Sequence, residues 1–223
     1  MISITTAAMR FARFAGVSAV LVLSACNNGF GSGFEGSITL RTTRGSATPV
    51  DMVVKAKGDK IRFETPDPTG KMNAAIYVPA KNQIVVVYDA IKSTMAVDLS
   101  SPSAAPNTNA ATSDVEKTGK KETISGITCE DYVVKDPSGK RTETCIAQGI
   151  AFFDLAGLRS PGGGSSWSRQ MRDKKMFPLR SVEYDASGKE QSRSEAVSIV
   201  KEKLSDSLFE VPDGYREIVR PGH

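Results

Sequence analysis

Short segments that alternate apolar and polar residues run through most of the chain, and they constrain the fold more than any other feature. The alternation begins at Ile38, resumes at Val50 and at Ile61, and continues over 72–78, 83–88 and 93–99. A period of two is typical of half-buried strands. The connections are short, as at the Gly58-Asp59 turn. The first half of the chain therefore predicts an antiparallel meander.

The second half predicts two hairpins and one or two helices. Strands over 127–135 and 140–147 flank Asp136-Pro137-Ser138-Gly139, and strands over 179–184 and 191–204 flank Asp185-Ala186-Ser187-Gly188. Proline presets a turn and glycine takes its left-handed position. The apolar spacing from Ile150 to Leu158 predicts a helix, and 167–175 fits a helix or a strand. The fold class is thus α+β, dominated by a curved antiparallel sheet.

The N-terminal region has the order of a secretory signal peptide. Arg10 and Arg13 precede an apolar run over 14–23, which is followed by small residues and Cys26. That run is shorter than the roughly 20 apolar residues that a membrane-spanning helix needs. The string Leu23-Ser24-Ala25-Cys26 resembles the bacterial lipobox. The resemblance implies that residues 1–25 are removed and that Cys26 is acylated; the alternative is a secreted protein whose cysteine is incidental.

Residues 26–33 after this site are rich in Asn, Gly and Ser, which predicts a flexible leash between the anchor and the folded domain. Position 27 is asparagine rather than the aspartate that retains many such proteins in the inner membrane. The resemblance therefore implies an outer-membrane location facing the periplasm, with the membrane as a partner through the N-terminal lipid. A single domain over 34–217 follows, with 100–114 predicted as a disordered linker and 218–223 as a tail.

Charge and cysteine content narrow the function. The chain carries a net charge of +4, which falls to about +2 once Arg10 and Arg13 are removed, so nucleic-acid binding is not expected. Assigning Cys26 to lipid leaves Cys129 and Cys145, an even pair in an oxidising compartment. The predicted hairpin brings these two onto neighbouring strands. A disulfide is favoured over a metal site, because no histidine lies nearby.

Several strings resemble known bacterial envelope families. Phe34-Glu35-Gly36-Ser37-Ile38, Gly58-Asp59-Lys60-Ile61-Arg62-Phe63-Glu64 and Phe209-Glu210-Val211-Pro212 are similar to lipoprotein-carrier (LolA/LolB-like) proteins. Gly119-Lys120-Lys121-Glu122-Thr123-Ile124-Ser125-Gly126 and Val211-Pro212-Asp213-Gly214-Tyr215 resemble an uncharacterised bacterial lipoprotein family, a domain of unknown function, over most of 34–217. The resemblance implies a strongly curved half-barrel with one or two short helices over its concave face and an apolar cavity beneath them.

Catalytic residues are not expected. The sole histidine is His223 at the chain end, which excludes a histidine triad, and neither a metal nor a cofactor is expected. Residues 31–36 match G-x-G-x-x-G, but they run into a strand rather than a helix, so they do not predict a nucleotide site.

Five residues are candidates for ligand binding. Arg62 is either a solvated outer-face arginine or a charge at the cavity rim that holds an anionic headgroup. Phe152, Phe153, Leu155 and Leu158 are either core or a movable lid over an acyl chain. The basic segment 169–175 is either solvated or rests on anionic headgroups.

The leading hypothesis is a non-enzymatic, lipid-anchored envelope protein that binds a lipid or other apolar ligand in a half-barrel cavity. The alternative is an envelope interaction or sensor module with a protein partner and a packed, ligand-free sheet.

Overall fold

A single large, open and curved sheet makes up most of the part of the chain that the structure describes. The computed structural model describes residues 29–30, 33–67, 69–99, 114–136, 138–153, 155 and 166–218. The strands are β1 (Glu35–Arg44), β2 (Val50–Lys57), β3 (Lys60–Pro66), β4 (Met72–Val78), β5 (Gln83–Tyr88), β6 (Ser93–Asp98), β7 (Asp114–Ile124), β8 (Ile127–Lys135), β9 (Arg141–Gln148), β10 (Met176–Tyr184), β11 (Glu190–Lys201) and β12 (Arg216–Glu217). The helix α1 covers Ser166–Asp173. The predicted α+β class with a curved antiparallel sheet is confirmed.

The two halves of the chain join along β1. The strand order is β12-β6-β5-β4-β3-β2-β1-β11-β10-β9-β8-β7, so the predicted meander β1–β6 occupies one side. On the other side β11 pairs with β1, and Ile38 lies between Val54 of β2 and Ile199 of β11 with none of its surface exposed. The pair β6–β12 is parallel, whereas the other pairs in this sheet are antiparallel. The short β12 has no alternating pattern, and the sequence did not predict it.

One side of the sheet, here called the inner face, carries the main core. Ile61 and Phe63 of β3 are 1% and 2% exposed, while Arg62 between them points to the outer face. The antiparallel register continues this face across β2–β6, because Phe63 lies opposite both Val54 and Ala75. The alternation recognised in the sequence is therefore the alternation between core and outer face.

The helix α1 packs on the side of β9 away from the main core. Its Trp167 and Met171 contact Ile146 and Met176 in a second apolar cluster. Ala147, the neighbour of Ile146 on β9, belongs to the main core instead. The segment 167–175, which fitted a helix or a strand, is thus mostly helical, and the helix buries two apolar residues one turn apart.

The predicted helix over 150–158 is wrong for the residues that the structure describes there. Residues 150–153 have no regular secondary structure, and Leu158 lies outside the described residues. Phe153 packs into the main core near Phe63, whereas Phe152 also reaches the second cluster. Phe153 therefore lies in the main core, whereas its neighbour Phe152 packs against both clusters, and a helix with its single apolar stripe does not place successive residues in this way.

The predicted leash also needs correction at Gly29 and Phe30. Phe30 is 6% exposed, its ring centroid lies 4.8 Å from that of Phe34, and its backbone N–H donates to the carbonyl oxygen of Gln148 at 2.8 Å. A Cβ on Gly29 would meet the same oxygen at 2.4 Å, so only glycine fits this approach. Composition indicated flexibility, but one buried aromatic ring fixes the chain.

Three hairpin turns share one capping arrangement at the end of the sheet opposite Phe30. Asp67, Asp136 and Asp185 each accept hydrogen bonds through Oδ1 from the backbone N–H and the hydroxyl two residues later, and from the backbone N–H four residues later. The hydroxyl bond is the main cause that lowers the pKa of each aspartate. These aspartates satisfy backbone donors that the tight turns leave unpaired.

Candidate functional site

A cavity of about 310 Å³ lies on the inner face of β3–β6. Its wall consists mainly of inner-face residues from four neighbouring strands, with Leu155 opposite them. The lining residues are Phe63, Thr65, Asn73, Ala74, Ala75, Ile84, Val86, Tyr88, Met95, Val97 and Leu155. Ala75 is small and Met95 is unbranched. The side chains of the curved sheet therefore leave space beside these two residues unfilled.

Polar side chains are confined to one end of the cavity. Thr65 lies opposite Asn73, and Asn73 lies opposite Tyr88, so the register places the three in one row across β3, β4 and β5. Their side chains form no hydrogen bond within the described part of the chain. This polar row therefore offers free donors and acceptors next to an apolar chamber.

Residues 150–153 and 155 lie on the inner face near the cavity. Phe153 is 4% exposed, and its ring centroid lies 6.1 Å from that of Phe63 and 4.5 Å from that of Tyr77. Leu155 follows and lines the cavity. Phe153 is thus core, whereas Leu155 is in a position to contact a ligand.

The structure distributes the predicted ligand residues over several environments. Leu155 lines the cavity, Phe153 packs beside it, and half-buried Phe152 lies 6.3 Å from the ring of Phe177. Leu158 and Cys26 lie outside the described residues. The sequence reasoning missed the polar row and Val86. The strands that carry them were predicted, but their meeting at one cavity depends on the curvature of the sheet.

Arg62 does not lie at the cavity rim, and that alternative is corrected. Its Nε donates to Glu64 Oε1 at 2.6 Å, and its Nη1 donates to the carbonyl oxygen of Leu208 at 3.1 Å. Lys55 Nζ lies 2.8 Å from the other oxygen of Glu64. Burial raises the pKa of Glu64, but the hydrogen bonds from Lys55 and Arg62 outweigh it and lower the pKa overall. Arg62 is therefore part of an outer-face ion-pair network.

Cys129 and Cys145 form a disulfide between β8 and β9, with their Cα atoms 5.4 Å apart. Beside it, both amino groups of Arg180 donate to Glu122, at 2.6 and 2.8 Å. The hydrogen bond from Arg180 lowers the pKa of Glu122, whereas burial and the negative charge of Glu122 raise the pKa of Asp131. The two carboxylates and the Cys145 sulfur lie within 4.8 Å of one another. Because that sulfur is in a disulfide, it is no thiolate ligand, and the group does not fit a metal centre.

In the part of the chain that the structure describes, no helix is long and apolar enough to span a membrane.

Comparisons with known proteins report a family and a fold. A family model described as "Domain of unknown function (DUF4412)" matches residues 34–215. Among solved structures, an uncharacterized conserved protein from Thermus thermophilus is similar at 12% identity over 84% of this chain and 91% of that chain, with a TM-score of 0.52. The MucA/MucB complex from Pseudomonas aeruginosa is similar at 12% identity over 83% and 58%, with a TM-score of 0.43. The LolA superfamily protein NE2245 from Nitrosomonas europaea is similar at 14% identity over 80% and 90%, with a TM-score of 0.34. No curated protein matches.

Proposed function

We propose a ligand-binding function for this chain, which belongs to the family described as "Domain of unknown function (DUF4412)". The membership confirms the predicted family of unknown function. In the proposal, the chain is a non-enzymatic, lipid-anchored protein of the bacterial envelope. Its inner-face cavity binds the acyl chain of an amphiphile, and the polar row holds the headgroup.

The observation that carries this proposal is the cavity itself. An apolar chamber with a few convergent polar groups at one end is the usual form of a small-molecule site. Phe63, Ile84 and Val86 supply the apolar wall, and burial of each ligand methylene there contributes about 0.8 kcal/mol. The unpaired side chains of Thr65 and Asn73 meet the polar end of the same molecule.

The size of the cavity favours one chain over several. Its volume of about 310 Å³ is near the lower end of the range for ligand pockets. A cavity of roughly 150 Å³ is known to hold one benzene molecule. The space therefore suits one acyl chain of medium length rather than the two or three chains of a complete lipoprotein.

The envelope location rests on the sequence. The signal peptide pattern over 1–25 and the lipobox ending at Cys26 support acylation, and Asn27 supports the outer membrane with the domain facing the periplasm. Two or more acyl chains make anchoring stable, since one chain alone binds only marginally.

A non-enzymatic role is supported by the chemistry of the described side chains. The disulfide occupies Cys129 and Cys145, and Arg180 engages the carboxylate of Glu122 beside them. Neither the disulfide nor the paired carboxylate is a free nucleophile or base, and neither lines the cavity.

Isothermal titration calorimetry with dodecanoate tests the proposal on the native protein and on a matched pair of variants. Val86 points into the cavity, whereas its neighbour Val85 points to the outer face. Val86→Phe is expected to weaken binding at least tenfold, and Val85→Phe is expected to leave the affinity unchanged. If the native protein takes up no dodecanoate, the cavity proposal is wrong, and the envelope interaction module becomes the better hypothesis.

A further inference from the structure

We infer that the end of the sheet around Phe30 faces the membrane and rests on anionic lipid headgroups. This surface, here called the Phe30 end, comprises Gly29, Phe30, the Gly58-Asp59 turn, Lys175 and the residues 201–203. The inference rests on the proposed acylation of Cys26, and it assigns the orientation of the domain on the bilayer.

The length of chain between the anchor and the core carries the argument. Gly29 is the first described residue, and only three Cα–Cα steps separate it from Cys26. Each step spans at most about 3.8 Å, so Gly29 lies within about 11 Å of the lipid-bearing residue. A domain attached this closely has one end at the membrane surface, in contrast to one on a long leash.

The docking of Phe30 prevents the attachment point from moving over the surface. Its ring packs against Phe34 and Phe177, with centroid distances of 4.8 and 6.0 Å. Its N–H is bonded to Gln148 at 2.8 Å, and Gly29 packs directly against the same backbone. The position where the tether leaves the core is therefore fixed.

Neighbouring contacts define the rest of this end. The N–H of Gly58 donates to the carbonyl oxygen of Phe34 at 3.4 Å, which places the β2–β3 turn beside Phe30. Lys175 Nζ lies 2.7 Å from Asp59 Oδ1, which adds the residues after α1. An open groove beside Phe30 and Phe34 is bordered by Lys201 and Lys203, and Glu35 and Glu202 also line it.

Charge at the Phe30 end suits an anionic surface. Three acidic groups at or next to this end are engaged by basic ones: Asp59 by Lys175, Glu35 by Lys57, and Asp206 by Lys60. The fourth, Glu202, accepts a hydrogen bond from the hydroxyl of Ser37. Lys201 and Lys203 are exposed and have no ion-pair partner in the described ranges. These two ammonium groups remain available to phosphate groups of the lipid.

The opposite end of the strands points away from the membrane. From Gly58 to Pro66 the chain advances about 26 Å along β3, at roughly 3.3 Å per residue. The turn over 67–71 lies at that far end, and Thr65 of the polar row is close to it. The polar end of the cavity therefore opens toward the periplasm rather than toward the anchoring bilayer.

Site-specific fluorescence quenching on the full acylated chain tests this orientation. A single added cysteine, Lys174→Cys near the Phe30 end or Lys71→Cys at the far end, is labelled with a fluorophore. The protein is placed in vesicles of phosphatidylcholine with phosphatidylglycerol that contain a headgroup-quenching lipid. We expect at least threefold stronger quenching at position 174 than at position 71.

Two further variants separate the tether from the charges. A Gly-Ser insertion of about 25 residues between Asn28 and Gly29, with an r.m.s. length of about 25–30 Å that matches the advance along β3, is expected to reduce the difference between the two probes. Lys201→Glu with Lys203→Glu is expected to weaken quenching at position 174 about twofold with phosphatidylglycerol, and to leave it unchanged with phosphatidylcholine alone.

Each failure identifies a different part of the account. Equal quenching of both probes in protein that floats with the vesicles overturns the orientation alone. If Lys201→Glu with Lys203→Glu leaves the quenching at position 174 unchanged in vesicles with phosphatidylglycerol, Lys201 and Lys203 do not bind the anionic headgroups. Protein that does not float with the vesicles overturns the acylation of Cys26 and, with it, the orientation. If the same preparation still binds dodecanoate, the cavity proposal stands.

Discussion

Removal of the disulfide by Cys129→Ala with Cys145→Ala is expected to lower stability by a calculable amount. The two residues are 16 positions apart, and closing a loop of this length removes unfolded-state entropy equivalent to about 3 kcal/mol. For a domain of this size, 1 kcal/mol shifts the melting temperature by about 2–4 °C. The expected loss is therefore about 6–12 °C, because the hairpin β8–β9 is no longer cross-linked in the unfolded chain.

Thermal unfolding followed by circular dichroism measures this change, with and without dithiothreitol. Reduction of the native protein keeps both sulfur atoms and removes only the cross-link, so it separates the loop effect from lost packing. Reductant has no target in the double-alanine variant and should leave its melting temperature unchanged. An unaltered melting temperature in reduced native protein, or reaction of the folded native protein with a thiol reagent, would refute the reasoning.

Three other predictions follow from the described contacts and the sequence. Arg62→Ala should lower the free energy of unfolding by about 2 kcal/mol, measured by urea unfolding, since it leaves Glu64 without one of its charged hydrogen bonds. The same variant should leave the dodecanoate affinity unchanged in calorimetry. Because the folded protein raises the pKa of Asp131 above its unfolded value of about 3.9, the stability from this group is present below that pH and is lost as the pH rises through the folded pKa. Asp131→Asn should therefore raise the melting temperature near neutral pH but not near pH 3. Glu122→Gln, which removes the carboxylate charge that both terminal nitrogens of Arg180 bind, should lower it near neutral pH. Cys26→Ser should move the protein from the membrane fraction to the soluble fraction in cell fractionation, and retention in the membrane would contradict acylation.

The sheet was predictable because strands such as β2 and β3 have one buried side, although Ile76 and Val87 are also buried on the outer face of β4 and β5. Val54 and Phe63 are core, while Lys55 and Arg62 are not, and this difference appears directly as a period of two in the sequence. The turns at 136–139 and 185–188 were equally clear, because aspartate and glycine meet specific backbone requirements there.

The segments that the sequence misassigned depend on tertiary contacts. The apolar spacing of Ile150–Leu158 fits a helix, but the curved sheet offers two separate clusters, and Phe153 lies in the main core while Phe152 packs against both. Phe30 sits in a composition typical of a flexible leash, yet Phe34 and Phe177 form a pocket for its ring.

The candidate site was predictable only in kind. The resemblance implied an apolar cavity, and Leu155 was among its expected contacts. The polar row of Thr65, Asn73 and Tyr88 meets the apolar chamber through the curvature of the sheet, which the alternation in the sequence does not encode. Arg62 drew attention through its charge, but the same alternation that buries its neighbours directs it outward.

Native mass spectrometry of the protein purified from its bacterial host tests the central claim, ligand binding in the inner-face cavity, most directly. The account predicts an added mass, that of one apolar molecule, on the native protein and on Val85→Phe, and its loss from Val86→Phe. A native protein that carries no added mass and gains none on incubation with dodecanoate would contradict it.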